Sequence, residues 1–192
     1  MKKGSRHKNR LNTGATVYLR SPENRDCHEF LRLNHASRRF YRGWLSPITT
    51  PQRFADYIER CGRSDFESFL VCRKTDDAIV GSINLSQIFQ GGFKSAYLGY
   101  QVGAPFAGQG YMSEALELVL GYAFNRMKLH RLEANIQPGN KASIALVKRA
   151  GFRREGYSRR YLKVCGRWRD HERWAIIAED WRDKNGRQGR AV

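Results

Sequence analysis

Between Tyr97 and Met127 the chain changes its period, and that change constrains it more than any other feature. Residues 97–102 (Tyr-Leu-Gly-Tyr-Gln-Val) read as a strand, and residues 103–110 supply a loop containing Gly108 and Gly110. From Met112 onward, Ala115, Leu116, Val119, Leu120, Ala123 and Phe124 form one apolar face at helical spacing. A strand feeds a glycine loop that opens a helix. At such a helix start, backbone N–H groups lack intrahelical partners, the helix dipole adds partial positive charge, and glycine lets the backbone come close to a ligand. A pyrophosphate is the natural guest. Gly-x-Gly before a helix also describes a plain tight turn with a cap. The loop is not a Walker motif, because no Gly-Lys-Ser/Thr follows, and it is not G-x-G-x-x-G, because position 113 is Ser.

The flanking segments build around this unit. Val17 to Leu19 suggests a first strand, and residues 24–34 a helix. Pro47 and Pro51 interrupt the chain, and Pro51 suits the start of a second helix carrying Phe54, Ile58 and Cys61. Residues 66–73, 78–85 and 96–102 read as a three-strand meander, turning at Thr75-Asp76-Asp77 and at Gln90-Gly91-Gly92. Residues 131–136 form a short strand. Pro138-Gly139-Asn140 lead into a helix ending near Ala150, with Gly151 as its stop. Residues 157–164 and 168–177 read as two strands joined at Cys165-Gly166. Mixed in this order, the elements predict an α/β or α+β sheet with helices on its faces. A chain of 192 residues suffices for one cored domain, placed at 14–182, with basic flexible tails at 1–13 and 183–192.

Lys and Arg number 35 against 18 Asp and Glu, a net charge of +17. Such a field attracts polyanions, including RNA, ribosomes and coenzyme A. About half of the excess is accounted for by Lys2, Lys3, Arg6, Lys8, Arg10, Arg182, Lys184, Arg187 and Arg190 in the tails, which can simply be solvated. No apolar run approaches the roughly 20 residues that cross a bilayer. The basic, polar start lacks the apolar centre of a secretory signal. The predicted location is therefore cytoplasmic, without membrane contact. Cys27, Cys61, Cys72 and Cys165 are widely spaced with no CxxC pair and read as reduced, small apolar residues; no flanking signature supports a catalytic cysteine. His28, His35, His130 and His171 show no metal-ligand spacing, and no metal is expected.

About 25 residues beyond the glycine loop come His130-Arg131-Leu132-Glu133-Ala134-Asn135, then the run from Pro138-Gly139-Asn140 through Ser143 to Gly151-Phe152. Asn140 can cap a helix and Ser143 can be an ordinary first-turn residue. Paired with the glycine loop, the two segments make a long combination. With Tyr97-Leu98-Gly99-Tyr100, Glu155-Gly156-Tyr157 and Gly166-Arg167-Trp168-Arg169-Asp170-His171, the chain over residues 16–180 resembles the GNAT N-acetyltransferases. Within them it resembles the ribosomal-protein N-terminal acetyltransferases of the RimJ/RimL type.

The resemblance implies a GNAT fold: an α/β domain with a central mixed, mostly antiparallel sheet flanked by helices. It implies direct acetyl transfer from acetyl-CoA to an amine, without a covalent enzyme intermediate. The strand from Leu98 through Tyr100 to Val102 would hold the acetyl and pantetheine part by its backbone. Ala107, Gly108, Gln109, Gly110, Tyr111 and Met112 would cradle the pyrophosphate. Asn140 would contact the pantetheine, and Ser143 would stand near the thiolate leaving group. Three positions depart from the family: Pro105 replaces a Gln or Arg before the loop, Val147 a tyrosine acid, and Arg160 an acidic residue. Ser143 is left as the candidate acid.

An amine must lose a proton before or during attack on the thioester, to a base or a water chain. An α-amine needs less help than lysine. Glu133, Glu155, Asp170 and Glu172 are candidate bases, and each also suits a surface or ion-pair role. Trp168, Arg169 and Asp170 sit in the final hairpin, a place for the acceptor, while Trp168 and Trp174 equally suit core or cross-strand packing. The expected acceptor is the N-terminal α-amine of a ribosomal protein, with ribosome or RNA contact through the basic surface. A small-amine acceptor (a polyamine or an antibiotic) is the second reading. A ribosome- or RNA-binding protein that keeps the fold without catalysis is the third.

Overall fold

The computed structural model describes residues 10–188. Eight strands form one sheet: β1 (Arg10–Thr13), β2 (Val17–Arg20), β3 (Phe66–Arg73), β4 (Ile79–Phe89), β5 (Ser95–Val102), β6 (Arg131–Ile136), β7 (Arg153–Val164) and β8 (Arg167–Ile177). Their order across the sheet is β1-β2-β3-β4-β5-β6-β8-β7. Every neighbouring pair is antiparallel except β5 and β6. A parallel pair needs a long crossover, and here the crossover is the glycine loop and helix α4 (Tyr111–Gly121). The mixed, mostly antiparallel sheet is the one expected. The β5–β6 ladder covers only Ser95–Tyr97 against Arg131–Glu133, while β5 runs on to Val102. The sheet therefore splays open at its centre.

Helices cover both faces. On one, Ala115, Leu116, Val119 and Leu120 of α4 pack with Ile144 and Val147 of α5 (Lys141–Ala150) over Phe69, Val71, Leu85 and Leu132. The α4 helix continues into a wide π-turn, residues Tyr122–Arg126, that buries Ala123 and Phe124. On the other face, α1 (Cys27–Ala36) and α3 (Pro51–Cys61) bring Phe30, Phe54 and Tyr57 onto Phe66 and Leu70. Thr50 caps α3 by accepting from the Arg53 N–H, with Pro51 in the first turn. Between them lies the short α2 (Arg38–Tyr41). One charged pair is deeply buried in this layer: Arg20 donates to both carboxylate oxygens of Asp26 at 2.7 and 2.8 Å.

Both expected tails overlap regular structure. Arg10–Thr13 is strand β1, because its backbone pairs with β2 and Leu11 packs on the core. Beyond residue 182, the final helix α6 (Ala178–Gln188) continues. It is anchored by Trp181, whose ring lies 5.6 Å from that of Phe124. The remaining tail residues, 1–9 and 189–192, lie outside the described residues. The last two strands begin earlier than expected, with β7 from Arg153 and β8 from Arg167. No helix among the described residues is long and apolar enough to cross a membrane.

Candidate active site

A cleft of about 870 Å³ opens where the sheet splays. Tyr100, Gln101 and Val102 of β5 form one wall. The loop residues Ala107, Gly108 and Gly110 and the start of α4, Met112 and Ser113, form the second. Asn140 to Ser143 and the α5 residues Ala145, Leu146 and Arg149 form the third.

Gly110 is the N-cap residue of α4 with φ +84°, and Gly108 has φ +76°. These left-handed conformations are why glycine stands at both places. A Cβ built on either meets no protein atom within 4 Å, so the positive φ rather than crowding demands glycine there. The N–H groups of Gly108, Gln109 and Gly110 donate to no protein acceptor among the described residues. The Gln109 side chain turns back and donates to the Pro105 carbonyl at 2.7 Å. The loop thus braces itself at Pro105.

Asn140 caps α5, its Oδ1 accepting from the Ser143 N–H at 3.1 Å, so the side-chain amide NH₂ remains available to a ligand. Ser143 sits in the first turn with its hydroxyl 2.5 Å from the Tyr100 hydroxyl. Burial pushes the Tyr100 phenol up to about 12. Tyr41 also lines the cleft; its hydroxyl is buried beside Ser37 and makes no hydrogen bond of good geometry among the described residues. A ligand group would satisfy that hydroxyl. Free loop amides, a glycine cradle and an orphaned hydroxyl together fit a long ligand with an anionic end.

Of the expected coenzyme residues, Tyr100, Val102, Ala107, Gly108, Gly110, Met112, Asn140 and Ser143 line the cleft. Leu98 faces the core, and the Tyr111 ring packs edge-on against Phe106. The candidate bases lie apart from the cleft lining. Arg131 holds Glu133 at 2.9 Å and also grips Glu155. That pairing keeps the Glu155 carboxyl below its usual range. Asp170 accepts from the Tyr157 hydroxyl at 2.5 Å and from the Arg160 N–H at 2.7 Å, and its carboxyl is likewise lowered. Arg160 itself has φ +47° in a bulge of β7, so Asp170 acts as the brace of that bulge. Glu172 accepts from the Trp174 indole at 3.1 Å, which leaves Trp174 a core residue and Trp168 exposed. None of the four cysteines lines the cleft. Among the described residues no cluster of His, Cys, Asp or Glu could hold a metal.

Sequence reasoning missed Phe40, Tyr41, Trp44 and Leu45, which wall the cleft from α2 and the following loop. That loop is tied to the α5 side: Gln137 donates to the Gly43 carbonyl at 3.0 Å, and a Cβ on Gly139 would meet the Trp44 ring at 3.2 Å. Aromatic residues packed into so short a segment were the available signal.

The model of the acetyltransferase (GNAT) domain matches residues 16–153. A probable N-acetyltransferase, YjcK of Bacillus subtilis, is 34% identical over 175 residues, covering 87% of this chain and 97% of its own. The [ribosomal protein uS5]-alanine N-acetyltransferase of Escherichia coli is 42% identical over 103 residues, 54% of this chain and 53% of that protein. Among solved structures, Mycobacterium smegmatis RimJ in complex with CoA-disulfide superposes with a TM-score of 0.78 at 31% identity, covering 85% of this chain and 83% of that one.

Proposed function

This chain belongs to the GNAT acetyltransferases, of the RimJ/RimL type, and from that premise we propose that its acceptor is the N-terminal α-amine of a ribosomal protein. It is an acetyl-CoA-dependent N-acetyltransferase. The acceptor reading is carried by the likeness to the uS5-alanine enzyme. The β7–β8 turn supports it, since that turn seats on the loop that walls the cleft, with Cys165 Sγ 3.5 Å from Ser46 Oγ.

Acetyl-CoA supplies the acetyl group already activated as a thioester. The amides of residues 108–112 bind its pyrophosphate, assisted by the start of α4. The edge of β5 beyond Tyr97, free of β6, offers backbone groups to the pantetheine arm, and Asn140 offers its side-chain amide. The α-amine loses its proton to water and attacks the thioester carbonyl; its low pKa makes a strong protein base unnecessary. As the C–N bond forms and the C–S bond breaks, the nitrogen releases its second proton to water, and the Ser143 hydroxyl gives its proton to the departing sulfur and regains one from solvent. Tyr100 fixes the direction in which that hydroxyl points.

The test is thiol release from acetyl-CoA with peptides bearing free N-terminal alanine or serine, an N-terminally blocked lysine peptide, spermidine and an aminoglycoside. Release with the free N-terminal peptides, and a mass gain of one acetyl group at that terminus, is expected. Release with spermidine or the aminoglycoside alone would refute the acceptor assignment.

A further inference from the structure

Five of the charges outside residues 10–188 are basic (Lys2, Lys3, Arg6, Lys8 and Arg190) and none is acidic, which leaves +12 of the +17 inside the folded part. Much of that excess gathers in one place. A second cavity, of about 460 Å³, lies between α2, the loop after it, the start of α3 and the turn of the β7–β8 hairpin. Arg38, Arg39, Arg42 and Arg53 line it, with Ser46 and Thr49 between them and no acidic residue in the lining. All four arginines are exposed, and none forms an ion pair among the described residues. Only Arg53 has a fixed partner, the Pro47 carbonyl at 2.9 Å.

Bringing four guanidinium groups around one cavity without a carboxylate is unfavourable unless an anion offsets it. The planar fork of Arg suits a phosphate in particular. The hairpin extends the same field: Lys163 and Arg167 are exposed and lack ion pairs among the described residues, while Arg159 and Arg160, also exposed, act on the Asp170 carboxyl. Trp168, 61% exposed and paired with Lys163 in the ladder, offers a stacking face. Arginines that track a backbone beside a free aromatic ring are what single-stranded RNA requires. The cavity is not the coenzyme's: Gly108 and Gly110 lie in the other cleft. Yet the two adjoin, since Leu45 lines both.

We propose that this arginine groove, continued along the hairpin, binds the phosphodiester backbone of RNA and holds an RNA-bearing particle against the mouth of the acetyl-transfer cleft. Its role in presenting the acceptor rests on the ribosomal-protein reading above; the RNA binding itself does not.

The experiment measures fluorescence anisotropy of a fluorescein-labelled, mixed-sequence single-stranded RNA of about 20 nucleotides, titrated with protein over a range of salt, without acetyl-CoA or acceptor. Arg39→Gln/Arg42→Gln/Arg53→Gln is compared with a triple of equal charge elsewhere, Arg126→Gln/Lys128→Gln/Arg182→Gln. Loss of three single-strand phosphate contacts should flatten the slope of log affinity on log salt by about 2 and weaken binding at least about tenfold near physiological salt. The control should change affinity less than about threefold. The groove triple should keep the parent's circular dichroism spectrum and cooperative thermal unfolding, showing that it folds. Equal loss in both triples, no binding of RNA by the parent protein, or groove-dependent binding of phosphatidylglycerol vesicles in place of RNA would overturn the proposal. Because no acceptor is present, those outcomes leave the acceptor assignment untouched, and failure of the peptide assay leaves the groove untouched.

Discussion

The Tyr100 hydroxyl lies 2.5 Å from the Ser143 hydroxyl and 3.3 Å from the Ser143 carbonyl oxygen, in the wall of the 870 Å³ cleft. A serine hydroxyl has one proton to give. When Tyr100 donates to Ser143 Oγ, the Ser143 proton is left free for a ligand in the cleft. Ser143→Ala should lower kcat by about a hundredfold, in the range for loss of a general acid. Tyr100→Phe should lower it by about tenfold, with the KM for acetyl-CoA changed less than about threefold. The double variant should be little worse than Ser143→Ala, because the two act as a unit. Steady-state thiol release checks this, and additive losses would separate the two residues.

The same tyrosine fixes a pH window. Burial raises its folded value to about 12, against 10 in the unfolded chain. Below pH 10 both states hold the proton and the fold pays nothing. Between pH 10 and 12 the unfolded state releases a proton that the folded state keeps, so stability falls as pH rises. Urea unfolding from pH 8 to 11 should show that decline, and Tyr100→Phe should reduce its steepness above pH 10. In catalysis Tyr100 stays protonated, so Tyr100→Phe should leave the shape of the pH–rate profile below pH 9 unchanged.

The loop glycines make a prediction about affinity rather than turnover. At Gly110, which lines the cleft, φ +84° disfavours any L side chain by roughly 1–2 kcal/mol, so a substitution there would distort the loop. Gly110→Val should raise the KM for acetyl-CoA at least about tenfold. At saturating coenzyme, kcat should stay within about threefold. An unchanged KM in a folded variant would remove the loop from the phosphate site.

Deprotonation by water predicts tolerance at the carboxylates. Glu133→Gln and Glu155→Gln should keep kcat/KM within about threefold, and the acid limb should follow the acceptor's own α-amine, near pH 8. A limb that moves in Glu133→Gln would make Glu133 the base.

Stability should depend strongly on one pair. Arg20 is 1% exposed, and Asp26→Ala would strand its guanidinium, at a cost of about 3–5 kcal/mol. Arg20→Met/Asp26→Leu should lose much less. Urea denaturation of both variants tests the comparison.

Local signals in the sequence reached far in some places and not in others. The limits of β6 and α5 were readable because Asn140 and Gly151 end α5 by their own chemistry: one accepts a backbone hydrogen bond, the other adopts φ +100°. The glycine loop was readable for the same reason. By contrast, α2 is too short to show a period, and α6 carries Trp181 as its main apolar anchor among polar neighbours. That β8 lies between β6 and β7 follows from long-range pairing, on which local pattern is silent. Nor could the sequence show that Arg131 engages Glu133 and Glu155 together, or that Tyr100 turns its side chain to Ser143. Glu155 comes to Arg131 from another strand and Ser143 comes to Tyr100 from a helix, and only the fold arranges those meetings.

The β7 bulge has a consequence for how this hairpin can vary. Ser158 stands opposite His171 and Leu162 opposite Arg169, so β7 spends two more residues than β8 over that interval. An even excess preserves which side chains face which side at the tip. Deleting one residue there would turn Leu162, Lys163 and Val164 over, whereas deleting two would leave their faces as they are. Viable length variants between Ser158 and Leu162 should therefore arise by steps of two, and a library of insertions and deletions there should show that parity, whereas β7 already carries a one-residue excess at Glu155.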